Sequence, residues 1–215
     1  MRFESRLEQV AVIYYSRSGR FVTLSNVIAE GCRSVEGSDV TVYRIRDPVL
    51  GDVPDQYDEG VLNAPVVTPQ IVQDADCIIV GGASSQGGPC FVVRHFLDSL
   101  SDFQTSGCLL KGKVASAFTS TGGSGAGYAG HETTLMSMHA TFLQHGLIPL
   151  GVPPSPVMGD AVLGTPFGTT MNLKTKIDKT GSRLRSLSES EVKLAYSQGE
   201  WASQVAKQLH DADDG

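Results

Sequence analysis

The sequence predicts an α/β protein in which a parallel β-sheet is covered by helices on both faces. Short runs of β-branched and aromatic residues alternate with longer segments of helical periodicity, which is the pattern of parallel strands joined by helices. The chain has 215 residues, enough for one domain with a substantial core and too few for two. We therefore expect a single domain over residues 1–215, with its core over 10–209 and an acidic tail at 211–215.

Strands and helices are predicted in alternation along the chain. The predicted strands are short apolar runs at Val10–Tyr15, Val40–Ile45, Cys77–Gly81, Val114–Phe118 and Leu147–Leu150. The predicted helices are Val22–Val35, Phe91–Leu100, Glu132–His145 and Glu189–Leu209, the last of which begins with the capping box Ser188-Glu189-Ser190-Glu191. Residues 47–70 and 151–187 are too long for ordinary connections, so we expect them to serve a site or an interface.

The composition argues against several classes of protein. Asp and Glu number 23 against 17 Lys and Arg, and the basic residues form no stripe, so we expect no nucleic-acid partner. The longest apolar runs are strand-sized, which predicts no membrane span. The start MRFESRLEQ is not a secretory signal, and the 4 cysteines are widely spaced without a Cys-x-x-Cys pair. These features predict a cytoplasmic protein with reduced thiols and no metal site.

The first predicted strand ends in a polar turn, Ser16-Arg17-Ser18-Gly19-Arg20, which leads through Phe21 into a helix. The N–H groups at a helix start have no partner within the helix, and together with the helix dipole and the serine hydroxyls they form a site for a phosphate. The turn holds a single glycine and no Gly-Lys-Ser/Thr, which favours one terminal phosphate over a pyrophosphate or triphosphate. An ordinary strand-to-helix turn has the same sequence features.

Two further loops follow the third and fourth predicted strands. Because the carboxyl ends of parallel strands lie at one edge of a sheet, we expect these loops to meet the first one there. They contain Ser84-Ser85-Gln86-Gly87 and Ser120-Thr121-Gly122-Gly123-Ser124-Gly125. Loops so rich in glycine let backbone N–H groups approach a flat ligand. The loops carry no carboxylate pair, histidine cluster or Ser-His-Asp set, so the sequence favours chemistry performed by a bound cofactor.

Five motifs occur in an order that resembles one known family. They are YYSRSG at 14–19, APVVTPQ at 64–70, STGGSG at 120–125, GTPFGTT at 164–170 and SQGEWA at 197–202. In this order they resemble the WrbA-type NAD(P)H:quinone oxidoreductases, over about 10–209 of the chain. The resemblance implies a flavodoxin-like three-layer sandwich with a parallel five-stranded sheet in the order 2-1-3-4-5. It also implies a bound FMN and a homodimer or homotetramer.

The resemblance assigns roles to the three loops. It implies that the FMN phosphate is held by Ser16, Arg17, Ser18, Gly19, Arg20 and Phe21. The isoalloxazine ring would lie along Ser84, Ser85 and Gln86, with Gly87 beside them, and the ribityl chain and pyrimidine side would contact Ser120–Gly125. The implied reaction is hydride transfer from NAD(P)H to FMN, followed by transfer of two electrons to a quinone-like acceptor. His145 is a candidate catalytic residue, and a structural hydrogen bond is the alternative role for it.

The chain departs from the family at the second loop. Ser84-Ser85-Gln86-Gly87 stands where the family commonly has Thr-Arg-Phe-Gly, so this chain lacks an arginine and an aromatic ring that could pair and stack with NAD(P)H or a quinone. Two alternatives therefore stay open at this stage. One is an FMN enzyme that acts on a specialised metabolite. The other is a flavodoxin-fold binding or scaffold protein without turnover.

Overall fold

The computed structural model describes residues 8–52, 60–121, 130–154, 165–172 and 187–213. Within these ranges the strands are β1 (Glu8–Tyr14), β2 (Ser38–Arg44), β3 (Cys77–Ser85), β4 (Gly88–Pro89), β5 (Val114–Thr121), β6 (Ile148–Leu150) and β7 (Thr169–Asn172). The helices are α1 (Arg20–Arg33), α2 (Pro69–Asp74), α3 (Phe91–Asp98), α4 (Ser101–Thr105), α5 (His131–Gln144) and α6 (Glu189–Asp213), with one 3-10 turn at Val61–Asn63. No helix in these ranges is both long and apolar enough to cross a membrane.

The principal strands form a parallel sheet in the order β2-β1-β3-β5-β6. This is the predicted order 2-1-3-4-5 with two short strands added, and the predicted fold class is confirmed. Strand β4 pairs antiparallel with the end of β3, and β7 pairs parallel with β5. The outer edge of β5 is therefore shared, because β6 pairs with Val114–Ser116 and β7 pairs with Phe118–Thr121.

The sheet is buried on both faces. Alternate residues of each strand point to opposite sides, so that Ile13 joins the core under α2, α3 and α5 while Val12 and Tyr14 join the core under α1 and α6. This double burial is the reason why β1 and β3 carry continuous apolar runs and not an apolar residue at every second position.

The C-terminal helix α6 is set closely against α1. A Cβ on Gly199 would lie 2.0 Å from the carbonyl oxygen of Ile28, and one on Gly31 would lie 2.0 Å from that of Tyr196, so the two backbones touch where the helices cross. The predicted capping box is present at the start of α6. The N–H of Ser188 donates to Glu191 Oε2 at 2.7 Å, and the N–H of Glu191 donates to Ser188 Oγ at 3.2 Å.

Some element boundaries differ from the sequence prediction. Strand β3 continues to Ser85 and pairs with β4, so the predicted loop Ser84-Ser85-Gln86-Gly87 is the end of a hairpin. Its two-residue turn is Gln86-Gly87, both with left-handed backbone at φ values of 52° and 83°. The predicted helix Phe91–Leu100 ends at Asp98 and is followed by the separate α4. Helix α2 begins at the end of the first long segment, 47–70, and strand β7 lies within the second, 151–187; neither element was predicted.

Glu8 is a buried acid at the amino-terminal edge of the sheet. Its carboxylate accepts hydrogen bonds from the hydroxyls of Ser38 at 2.9 Å and Ser203 at 3.1 Å. Burial outweighs these bonds and raises the pKa of Glu8 from 4.5 to about 6. The folded state therefore binds the proton more tightly than the unfolded state does, and stability is lost as the pH rises from 4.5 to about 6.

Replacing Glu8 with Gln removes this titration. Between 4.5 and about 6 the wild-type protein should lose about 2 kcal/mol of unfolding free energy through this group, so E8Q should be the more stable protein above that interval. Urea unfolding of both proteins across this pH range measures the difference. Asp39→Asn, at an exposed position of β2, is the matched control. If the unfolding free energies of wild type and E8Q changed with pH in the same way, the raised pKa of Glu8 would be contradicted.

Candidate functional site

The carboxyl ends of β1, β3 and β5 lie side by side. Tyr14 pairs with Gly81, and Gly81 pairs in turn with Phe118 on β5. The N–H of Tyr15 donates to Gly81 O at 3.0 Å, which holds the chain beside β3 as it leaves β1. The structure therefore brings three predicted segments, Ser16–Phe21, Ser84–Gly87 and Ser120–Thr121, to one edge of the sheet. The predicted residues Gly122, Gly123, Ser124 and Gly125 lie outside the described residues.

The turn after β1 has the properties of an anion site. Gly19 takes the left-handed conformation at φ 69°, and α1 begins at the next residue. Ser16 is buried, and its Oγ accepts the N–H of Phe21 at 3.4 Å, which leaves its own proton available. Within the described ranges, the N–H groups of Arg17, Ser18 and Gly19 have no acceptor. Several unpaired donors and no carboxylate in one turn at a helix start fit a phosphate group.

Phe21 anchors this turn in the core. Its ring is buried in the core and lies 6.1 Å from the ring of Phe118, centroid to centroid. A Cβ on Gly81 would lie 2.3 Å from the Phe118 ring, so the glycine is what allows that ring to cross β3. The first turn of α1, the middle of β3 and the end of β5 are thus joined by direct packing.

The hairpin Ser84–Gly87 is fastened to the start of α5. The Ser84 and Thr134 hydroxyls are hydrogen-bonded at 2.9 Å, and the Thr134 hydroxyl donates to Gly130 O at 2.8 Å. A Cβ on Gly130 would lie 2.7 Å from Gly87 Cα, so the helix start and the hairpin turn are in contact. Ser85 and Gln86 are exposed at the tip. The hairpin can therefore present backbone groups to the ring of a bound cofactor. Its exposed tip remains accessible to a substrate.

Ser120 supplies a second observation that fits a ligand. It is 1% exposed, and among the described residues its Oγ has no hydrogen-bond partner. A buried hydroxyl without a partner is costly, and such atoms in native proteins commonly serve a ligand or an ordered water. Ser120 lies at the carboxyl end of β5, paired with Ala83 at the base of the hairpin. This position suits a contact to the polar chain or ring edge of a flavin.

His145 is not brought to this edge. Helix α5 runs antiparallel to the strands, so its end reaches the opposite edge of the sheet, where the N–H of Gly112 donates to Gly146 O at 2.9 Å just before β5 begins. His145 is buried there, and burial lowers its pKa. Within the described ranges its Nδ1 has no partner. The arrangement offers His145 no contact with the three strand ends.

Sequence reasoning missed Tyr15 and Asp47. The Tyr15 hydroxyl donates to Asp47 Oδ2 at 2.5 Å, and Asp47 Oδ1 accepts the N–H groups of Val49 and Leu50, both at 2.9 Å. Burial by itself would raise the pKa of Asp47, but these bonds and the charge of Arg17 outweigh it and hold the pKa below its usual range. The ionised carboxylate thus ties the segment after β2 to the residue preceding the phosphate turn. The one sequence signal was an acidic residue two positions after the predicted strand Val40–Ile45.

The chain is 36% identical over 209 residues to an NAD(P)H dehydrogenase (quinone) from Chromohalobacter salexigens, and the match covers 94% of this chain and 99% of the relative. The chain belongs to the NAD(P)H dehydrogenase (quinone) family. The family expected from the five motifs is thereby confirmed. No family model matches the chain.

Solved structures support the fold of this family member. A WrbA-like flavodoxin from Agrobacterium tumefaciens has a TM-score of 0.62 at 21% identity, covering 94% of this chain and 99% of the other. A flavodoxin from the domain Archaea has a TM-score of 0.59 at 16% identity, with 93% and 99% covered. At these identities the likeness establishes the shared fold.

Proposed function

We propose that this member of the NAD(P)H dehydrogenase (quinone) family is an FMN-dependent oxidoreductase. It takes hydride from NAD(P)H and passes two electrons to a quinone-like acceptor. The observation that carries the cofactor is the turn after β1, where three backbone N–H groups that have no acceptor in the described part of the chain and the buried Ser16 hydroxyl lie at the start of α1. Such a site fits the single terminal phosphate of FMN better than the longer phosphate chain of a dinucleotide.

The residues at the sheet edge have distinct parts in this proposal. Ser16, Arg17, Ser18 and Gly19 bind the phosphate through hydroxyl and N–H donors, and Arg20 adds positive charge at the same helix start. The hairpin Ser84–Gly87 borders the isoalloxazine ring, and Ser120 with Thr121–Gly125 serves the ribityl chain and pyrimidine side. FMN supplies the two-electron redox chemistry when bound, and N–H donors aimed at its ring stabilise the charge that develops on reduction.

The open hairpin tip determines what can approach the ring. Ser85 and Gln86 are exposed and carry neither an aromatic face nor a positive charge. Gln86 also takes left-handed backbone, a conformation in which a bulky aromatic residue is strained. Binding of NAD(P)H and the quinone-like acceptor therefore depends on stacking against the flavin itself more than on side chains of the hairpin.

Anaerobic spectroscopy tests the proposed reaction. The purified protein should bind added FMN, NADH or NADPH should bleach the flavin absorption band, and benzoquinone should restore it with one quinone reduced per flavin. The absorbance spectrum before and after each addition measures each half-reaction separately. Protein that ignores added FMN would overturn the proposal. Bound FMN that neither nicotinamide reduces would overturn NAD(P)H as the donor.

The phosphate turn can be tested by replacing Ser16 and Ser18 with Ala together. Loss of two hydrogen bonds to a charged group should weaken FMN binding by at least about tenfold. Riboflavin has no phosphate, so its affinity should be unchanged and serves as the internal control. Fluorescence titration gives both dissociation constants. Equal weakening of FMN and riboflavin would place the effect elsewhere than at the phosphate.

We also propose that the protein is a homo-oligomer in the cytoplasm. Met136 and Leu143, 50% and 62% exposed, lie with the exposed Ala140 on the outer side of α5. Phe91, 61% exposed, lies on α3 over the same face of the sheet. An apolar stripe of this kind supports contact with a second copy of the chain. All four cysteines are free, which supports a reducing compartment.

Light scattering coupled to size-exclusion chromatography tests the assembly. Wild type should elute as a dimer or tetramer, and the pair Met136→Lys with Leu143→Lys should give a smaller species because lysine is costly in an apolar contact. Gln144→Lys adds a charge at a neighbouring exposed position of the same helix and should leave the mass unchanged. A monomeric wild-type protein would overturn the proposal.

A further inference from the structure

Gln198 is a fully buried polar residue of α6 that has no assigned role in the proposed function. Its side chain is 0% exposed. The amide nitrogen donates to Ser116 Oγ and to Ala117 O, both at 2.7 Å, and the amide oxygen accepts the N–H of Thr169 at 3.0 Å. One amide group therefore links two strands, β5 and β7, through three hydrogen bonds. The orientation of the amide is determined because its nitrogen donates to β5 and its oxygen accepts from β7.

Strand β7, which Gln198 holds, lies beside the carboxyl-terminal part of β5. This is the part of β5 that reaches the proposed flavin site. Strand β6 pairs only with Val114–Ser116, and beyond that point β7 is the neighbour of β5. The chain enters β7 in direct contact with β5, since a Cβ on Gly168 would lie 2.0 Å from Ala117 O. That carbonyl is the one to which Gln198 donates. The amide thus fixes the point at which β7 joins the sheet.

Ser120 lies just beyond this junction. Thr169, whose N–H Gln198 accepts, is the partner of Phe118, and two residues further along Ser120 is the partner of Met171. Ser120 is buried, with an Oγ that has no partner among the described residues. The direction of this hydroxyl depends on the path of β5, which β3 holds on one side and β7 on the other.

We propose that Gln198 is a positioning residue for the flavin site: by fixing β7 against β5, it holds the Ser120 hydroxyl where the bound flavin can use it. The inference rests on the proposed function, because it takes FMN as the ligand of Ser120. Replacing the amide by an apolar side chain removes the partner that Gln198 supplies to Ala117 O and to the Thr169 N–H. Ser116 Oγ loses one of its two hydrogen bonds and still donates to Leu150 O. The carboxyl half of β5 then keeps β3 on one side but loses the fixed position of β7 on the other, and the Ser120 hydroxyl is no longer held in place.

A double-mutant cycle tests this role. Gln198→Met keeps the length and volume of the side chain and removes the amide, and Ser120→Ala removes the hydroxyl. Q198M and S120A should each weaken FMN and riboflavin binding by roughly tenfold, and the double variant should bind no more weakly than Q198M alone. Both single variants should also shift the absorption spectrum of the bound flavin in the same direction, because both remove the same contact. Gln208→Met, at an exposed position of α6, is the matched control and should change neither.

The outcomes separate this inference from the proposed function. Wild-type protein that binds neither flavin overturns the proposed function and this inference with it. A second outcome overturns the inference alone: the wild-type protein binds FMN, and Ser120→Ala weakens binding by the same factor in wild type and in Q198M. Equal factors would mean that Gln198 acts through general stability and not through Ser120. Wild-type affinity in Q198M would overturn it as well. If Q198M does not fold, Gln198→Asn keeps an amide that is too short to reach both strands, and the same cycle applies to it.

Discussion

The missing side chain of Gly81 is the constraint on which the site depends. Because β3 has no Cβ there, the ring of Phe118 lies across the strand and reaches Phe21 in the first turn of α1. This packing fixes the helix start relative to β3 and β5. The N–H groups of the turn Ser16–Gly19 are therefore held at a set distance from the hairpin and from Ser120. A preorganised set of donors binds an anion without first having to be ordered.

The C-terminal helix α6 supports the site from behind the sheet. It contributes no residue to the turn, the hairpin or the end of β5. Gly31 and Gly199 allow α6 to approach α1 closely, and Gln198 directs its amide into the sheet from this position. Gly199 thus makes the backbone contact with α1, and its neighbour Gln198 makes the buried hydrogen bonds to the sheet. This packing explains Gln198 and Gly199 of the SQGEWA motif.

Several predictions from the sequence were confirmed because they depended on local signals. The apolar runs placed all five principal strands, and Ser188 with Glu191 marked the start of α6. The hairpin was missed because Ala83-Ser84-Ser85 carries no strand signal, and β7 was missed because Thr169-Thr170 is too short a β-branched run to indicate a strand. Ala83 and Ser84 are extended since β5 and β4 supply hydrogen-bonding neighbours, and Thr169–Asn172 is a strand because β5 and Gln198 provide partners for it.

The sequence by itself determined the α/β class, the alternation of strands and helices, the family and the polar turn after β1. These follow from the periodicity of apolar residues and from motifs that lie within short stretches of chain. Only the tertiary structure decided which segments meet. It placed His145 at the opposite edge because α5 runs antiparallel to the strands, and it joined Tyr15 to Asp47 and Gln198 to Thr169. Contacts between residues so far apart in the chain depend on strand order and helix packing, which no local pattern encodes.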